Sequence, residues 1–154
     1  RFNKTYRHIP VYMFSNWFSK KSDEKVGFED VLYATQHRDI CILINTLPSS
    51  EQTCLISGSL MMETEEQTIN TLLQNNHHNQ LIIIYGKNNC DRKVDEKYAQ
   101  LVNLGFTQVY MYHGGLFEWL LLQDIYGSDF TTTSKIRDLL LYRPKPILSR
   151  QIAM

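Results

Sequence analysis

"LIIIYGKNNCDRKVDEKYAQLVNLGFTQVYMYHGGLFEW", residues 81 to 119, passes from an apolar run through a polar loop into a helical pattern, then through a second apolar run and a glycine turn into another helix. "LIIIY" (81–85) is apolar without alternation, as expected of a strand covered on both faces of a parallel sheet. "VDEKYAQLVNLGF" (94–106) sets Val94, Tyr98, Leu101 and Val102 on one helical stripe, with Gly105 as the stop. "QVYMY" (108–112) reads as the next strand, and "HGG" (113–115) as a turn that glycine makes at little cost. "LFEWLLLQDIY" (116–126) is a helix apolar around most of its circumference, ending at Gly127, and it needs cover on more than one side.

The same alternation extends outward. "VGFEDVLYATQH" (26–37) spaces Phe28, Val31, Leu32 and Thr35 as a helix, with Glu29 and Asp30 in the first turn where the helix dipole favours acids. "ICILIN" (40–45) is a second doubly covered strand, and "TCLISGSLM" (53–61) a short strand or extended turn around Gly58. In "TEEQTINTLLQNN" (64–76), Thr64 and Gln67 have capping-box spacing before an apolar face of Ile69, Leu72 and Leu73, so a helix is expected to about Asn75. "SKIRDLLLY" (134–142) places Ile136, Leu139 and Leu140 on a last helical stripe before Pro144 and Pro146. Strands alternating with helices predict an α/β domain around a mainly parallel central sheet.

With 154 residues the chain suits one domain, and 16 basic against 16 acidic residues with 43% hydrophobic content exclude a disordered or nucleic-acid-coating chain. Charge is unevenly placed: residues 1–21 carry a net +5, residues 135–154 a net +4, and the body between them −9. Basic ends of this kind either solvate the termini or touch phosphates, acidic proteins or anionic surfaces. Cys41, Cys54 and Cys90 are odd in number and never spaced Cys-x-x-Cys, which argues against a disulfide framework or zinc site and for a reducing, cytoplasmic compartment. No apolar run approaches the roughly 20 residues that span a bilayer. The chain starts at Arg1 rather than Met and is expected to be part of a longer protein.

From about Val26 to Gly127 the sequence resembles the rhodanese-like domain family. "GFEDVLYA" is similar to its opening helix, "ILINTL" to its first central strand, "LISGSL" to its histidine-isoleucine-proline-glycine segment, and "LIIIYG" to the strand that delivers the active loop. The specific part is the closing constellation: Gly105-Phe106, Val109-Tyr110, Gly114-Gly115 and Trp119. The resemblance implies a three-layer α/β/α fold over residues 26–128, with a basic aromatic extension over 1–25 and a helical extension over 129–154 that packs on the domain.

Active members place a cysteine directly after that strand, in a loop whose inward N–H groups and following helix stabilise a sulfur anion. The equivalent loop here is Gly86, Lys87, Asn88, Asn89, Cys90, Asp91 and Arg92. Counting from the strand puts Gly86 at the nucleophile position; counting back from Gly105 puts Asn88 there. Neither side chain is a nucleophile, so sulfur transfer is expected to be lost. Cys90 is the one nearby thiol, read as an exposed loop thiol or, alternatively, as a displaced nucleophile of a sulfurtransferase or phosphatase-like enzyme. Cell-cycle dual-specificity phosphatases, which share the fold, separate cysteine from arginine by five residues; "GKNNCDR" keeps that spacing without the cysteine. Lys87, Arg92 and Lys93 are therefore candidates for holding a phosphate or sulfate without cleaving it.

Other family positions differ in the same direction: Asn45 stands where aspartate is usual, Leu47 where arginine is common, and Ser57 where proline precedes the glycine. His77-His78 and His113 are weak candidates, better read as turn and backbone-pairing residues, and neither a metal site nor a cofactor is expected. The resulting expectation is a non-catalytic rhodanese-like module of a larger protein. Its partner would be another protein or another domain of the parent chain, met through the altered loop or the aromatic N-terminal "YRHIPVYMFSNWF" (6–18), with no specific nucleic acid.

Overall fold

Three strands, Cys41–Asn45 (β1), Leu81–Tyr85 (β2) and Gln108–Tyr112 (β3), form a parallel sheet in the order β1-β2-β3. They belong to a computed structural model that describes residues 24–136 and 138–149. Register is in step across the sheet: Leu43 lies opposite Ile83, which lies opposite Tyr110. Both edges are extended by single bridges, Lys25 beside Met111 and Ser59 beside Leu43. Such pairing satisfies edge groups that would otherwise be open to another chain.

Among the described residues four α-helices cover the two faces: Phe28–Gln36 (α1), Met62–Gln74 (α2), Lys93–Asn103 (α3) and Gly115–Tyr126 (α4). The period of two along each strand divides the core. Cys41, Leu43, Ile83, Tyr85 and Tyr112 point to one side, where Val31 and Ala34 of α1 and Leu116, Trp119 and Leu120 of α4 meet them. Ile44, Ile82, Ile84, Val109 and Met111 point to the other, against Ile69 of α2 and Val94 and Leu101 of α3. Each fully buried aliphatic side chain is worth about 1.5–3 kcal/mol over its exposed state, so this two-sided burial holds the three layers together.

Local chemistry starts and stops these helices. Asp30 accepts a hydrogen bond from the Gly27 N–H (3.2 Å) at the head of α1. Gly105, at φ +98°, ends α3 in a conformation that glycine adopts without a Cβ penalty.

Several expectations need correction. Thr64 does not cap α2: the helix starts at Met62, and the Thr64 hydroxyl, already inside the first turn, donates to the Met61 carbonyl (3.1 Å). The helix expected over 134–142 is reduced, among the described residues, to a 3₁₀ turn at Leu139–Tyr142. Asp138 explains its start, since its side chain accepts from the Leu140 N–H (2.9 Å). Of the residues assigned to apolar stripes, Val94 and Leu101 are buried as expected, whereas Val102 and Leu140 are 41% and 49% exposed; at the last turn Tyr142 is buried instead. Of the two readings of the segment around Gly58, the extended turn is the one found: it pairs through isolated bridges, Ser59 with Leu43 and Ile56 with Thr132. The aromatic arm over 6–18 lies outside the described residues.

Candidate functional site

The loop 86–92 leaves the carboxyl end of β2 and enters α3, at the end of a parallel sheet where α/β folds gather ligands. Tyr85 anchors its root. The phenol is fully buried, its oxygen accepting from the Ile56 N–H (3.1 Å) and lying 2.6 Å from Ser59 Oγ. Burial pushes this phenol well above its ordinary range, and the hydrogen bonds from Ser59 and Ile56 offset part of that. It is a fixed neutral post.

Asp91 is the centre of the loop. Its Oδ2 accepts from the Lys87 N–H (3.2 Å) and from Thr46 Oγ1 (3.0 Å), and its Oδ1 accepts from the Lys93 N–H (3.0 Å) at the head of α3. Asn88 organises the tip: its Oδ1 accepts from the Cys90 N–H (3.0 Å), its carbonyl from the Asp91 N–H (3.1 Å), and its Nδ2 donates to the Tyr142 carbonyl (2.9 Å). On the other side α4 closes in, with the Leu116 and Phe117 N–H groups donating to the carbonyls of Gly86 and Lys87 (2.9 Å each).

Gly86 has no room for a side chain. A Cβ built there would lie 2.4 Å from Asp91 Oδ2 and 2.8 Å from Val94 Cγ2. Gly115, at φ +65°, is equally constrained, since a Cβ would stand 2.6 Å from the Gly86 carbonyl oxygen and 3.0 Å from the Asn88 nitrogen. The double glycine therefore lets α4 approach the loop backbone.

The other candidates scatter. Lys87 turns away to Glu51, with Nζ 3.0 Å from Oε2 and 5.7 Å from the Tyr142 ring centroid. Arg92 and Lys93 are exposed at the start of α3, and Cys90 is exposed with its thiol 3.7 Å from Asn89 Oδ1. Cys41 and Cys54 are buried; burial raises the Cys41 thiol from its ordinary 9.0 to about 11 and raises Cys54 as well. His113 pairs with Asp95 on α3 (3.2 Å) rather than with a backbone group. No group of His, Cys, Asp and Glu able to hold a metal occurs among the described residues, and no helix there is long and apolar enough to cross a membrane.

Asn45 and Leu47, which depart from the family pattern, have structural work. Asn45 Oδ1 accepts from the Leu47 N–H (3.2 Å) and Gln52 Nε2 (2.8 Å), while its Nδ2 donates to the Leu60 carbonyl (3.0 Å). Leu47 is buried in the core. Sequence reading missed Thr46, Glu51 and Tyr142 as partners of the loop, because they lie far from it along the chain. For Asp91 a signal existed: an aspartate in a turn just before a helix accepts from the N–H two residues on, here that of Lys93.

With this geometry in view, a family model described as the rhodanese-like domain matches residues 17–122. The chain belongs to the rhodanese-like domain family. Solved structures with the same fold include the BH2092 protein from Bacillus halodurans, 17% identical over 73% of this chain and 82% of that one, with a TM-score of 0.55. A protein from Lactobacillus plantarum is 16% identical over 73% and 92%, and the Alr3790 protein from Anabaena sp. 17% identical over 72% and 82%, each with a TM-score of 0.51. No curated protein matches. At these identities the neighbours establish the rhodanese-like fold alone.

Proposed function

We propose that this rhodanese-like domain is non-catalytic and acts as a binding or regulatory module of a larger protein, with 86–92 as the equivalent of the family's active loop. One observation carries the reading: the position after β2 is Gly86, and the space its side chain would need is filled by the Asp91 carboxylate, 2.4 Å from the would-be Cβ. A nucleophile at this position would need that space. Cys90, the alternative nucleophile, sits on the exposed rim, and the hydrogen bonds of Lys87 and Lys93 are directed to Asp91 instead of its sulfur. The N–H cradle that lowers a thiolate pKa in the family is therefore not aimed at this thiol. Retention of the scaffold without a reactive centre suits a domain selected for recognition, and the partner is proposed to be another protein or another domain of the parent chain.

The test is turnover with thiosulfate plus cyanide, with 3-mercaptopyruvate and with an aryl phosphate. None is expected. Turnover that disappears in Cys90→Ser would replace this reading with an enzyme using Cys90.

A further inference from the structure

We propose that Asp91 is the resident anion of its own loop: its carboxylate occupies the cradle that would otherwise receive an oxyanion or a thiolate, so the cradle is closed to free anions. The inference rests on reading 86–92 as the active-loop equivalent and adds what fills it.

The hydrogen bonds point this way. Four N–H groups at the loop and its helix entry, those of Lys87, Cys90, Asp91 and Lys93, already have acceptors from within the loop. Two of them, Lys87 and Lys93, converge on one carboxylate, and Thr46 Oγ1 reaches the same group from the end of β1. A carboxylate held by N–H groups, a hydroxyl and a helix N-terminus has the partners an external anion would seek.

Space and charge agree. Asp91 Oδ2 and Cγ stand 2.4 and 2.9 Å from a Cβ at position 86, so a side chain there and the carboxylate exclude each other. Lys87 is drawn to Glu51 instead of facing the loop. A second anion would meet the Asp91 charge with the Lys87 and Lys93 N–H groups already engaged, and like charges repel.

The experiment uses the full chain carrying Cys90→Ser in every arm, so that any Cys90-dependent turnover bears on the proposed function alone. Backbone amide shifts of Lys87 and Lys93 are followed as sodium thiosulfate is titrated. The protein retaining Asp91 is expected to show no saturable shift at either amide; the Asp91→Ser form is expected to show saturable shifts at both. A second measurement follows iodoacetamide alkylation of a thiol introduced by Gly86→Cys. Adding Asp91→Ser is expected to speed it about threefold, since a pKa lowered by about one unit raises the thiolate fraction about tenfold below the pKa while the thiolate's intrinsic nucleophilicity falls. Saturable shifts in the protein that keeps Asp91 overturn the proposal, and so do equal alkylation rates with and without Asp91. Should Asp91→Ser fail to fold, Asp91→Asn replaces it in both measurements, and a folded variant that shows no saturable shifts likewise overturns the proposal.

Discussion

Asn45 illustrates how a single atom type is selected at this site. Its amide accepts at Oδ1 and donates at Nδ2 to the Leu60 carbonyl, whereas an ionised aspartate would set oxygen against oxygen. The departure from the family pattern is thus bound up with how the segment after Gly58 is tied to β1, besides any relaxation of catalysis. Cys41 carries a pH prediction. Burial raises its thiol from 9.0 to about 11 in the folded protein, so between those values the unfolded chain has released the proton and the folded one retains it. Its contribution to stability is complete below about pH 9 and is lost as pH rises through about 11. The unfolding free energy from urea titrations should fall over this window, by a Cys41-dependent amount of about 2–3 kcal/mol at most. Cys41→Ala should remove that part of the slope, and an unchanged slope would contradict the assignment.

At the scale of elements, the approach of α4 to the loop after β2 decides the site's shape. Gly115 permits it twice over, by its positive φ and by the missing Cβ against the Gly86 carbonyl. Gly115→Ala should cost about 1–2 kcal/mol from the left-handed backbone alone. Displacing the loop adds to this, and a thermal melt read beside the amide shifts of residues 86–92 checks both effects. A lowered melting temperature with unmoved loop amides would show that the contact does not position the loop. The double glycine was legible as a turn in the sequence. That the turn presses on the loop after β2 depends on α4 and β2 being brought side by side.

For the whole molecule, the segment after α4 belongs to the core. Phe130 is 6% exposed and meets the Trp119 ring edge-on at 4.9 Å, while the Thr131 carbonyl accepts from Trp119 Nε1 (3.1 Å) and from the Ser57 N–H (3.1 Å). Thr133 exchanges hydrogen bonds with Leu55, its N–H donating to the Leu55 carbonyl (2.9 Å) and its Oγ1 accepting from the Leu55 N–H (3.0 Å). Tyr142 then reaches the loop tip through Asn88. This strap closes the open side of the apolar α4. Phe130→Ala should lower stability by about 3–5 kcal/mol in urea unfolding, a large share of a domain's total. A loss below 1 kcal/mol, within the range of ordinary surface changes, would show that the strap only decorates the domain.

The strands, the helices over 28–36 and 93–103 and the glycine turn follow from the sequence alone, because hydrophobic period and turn chemistry are local. The absence of cysteine at position 86 is local too. The partners of Asp91 are not: Thr46 lies 45 residues away, and only the parallel pairing of β1 with β2 brings the ends of those strands together. Likewise, whether "SKIRDLLLY" would stay helical was settled by its seat against α4 and by the Asp138 cap, contacts that outweigh a stripe of three apolar residues. Local propensity chose the elements. Packing across the sheet chose which distant side chain meets Asp91.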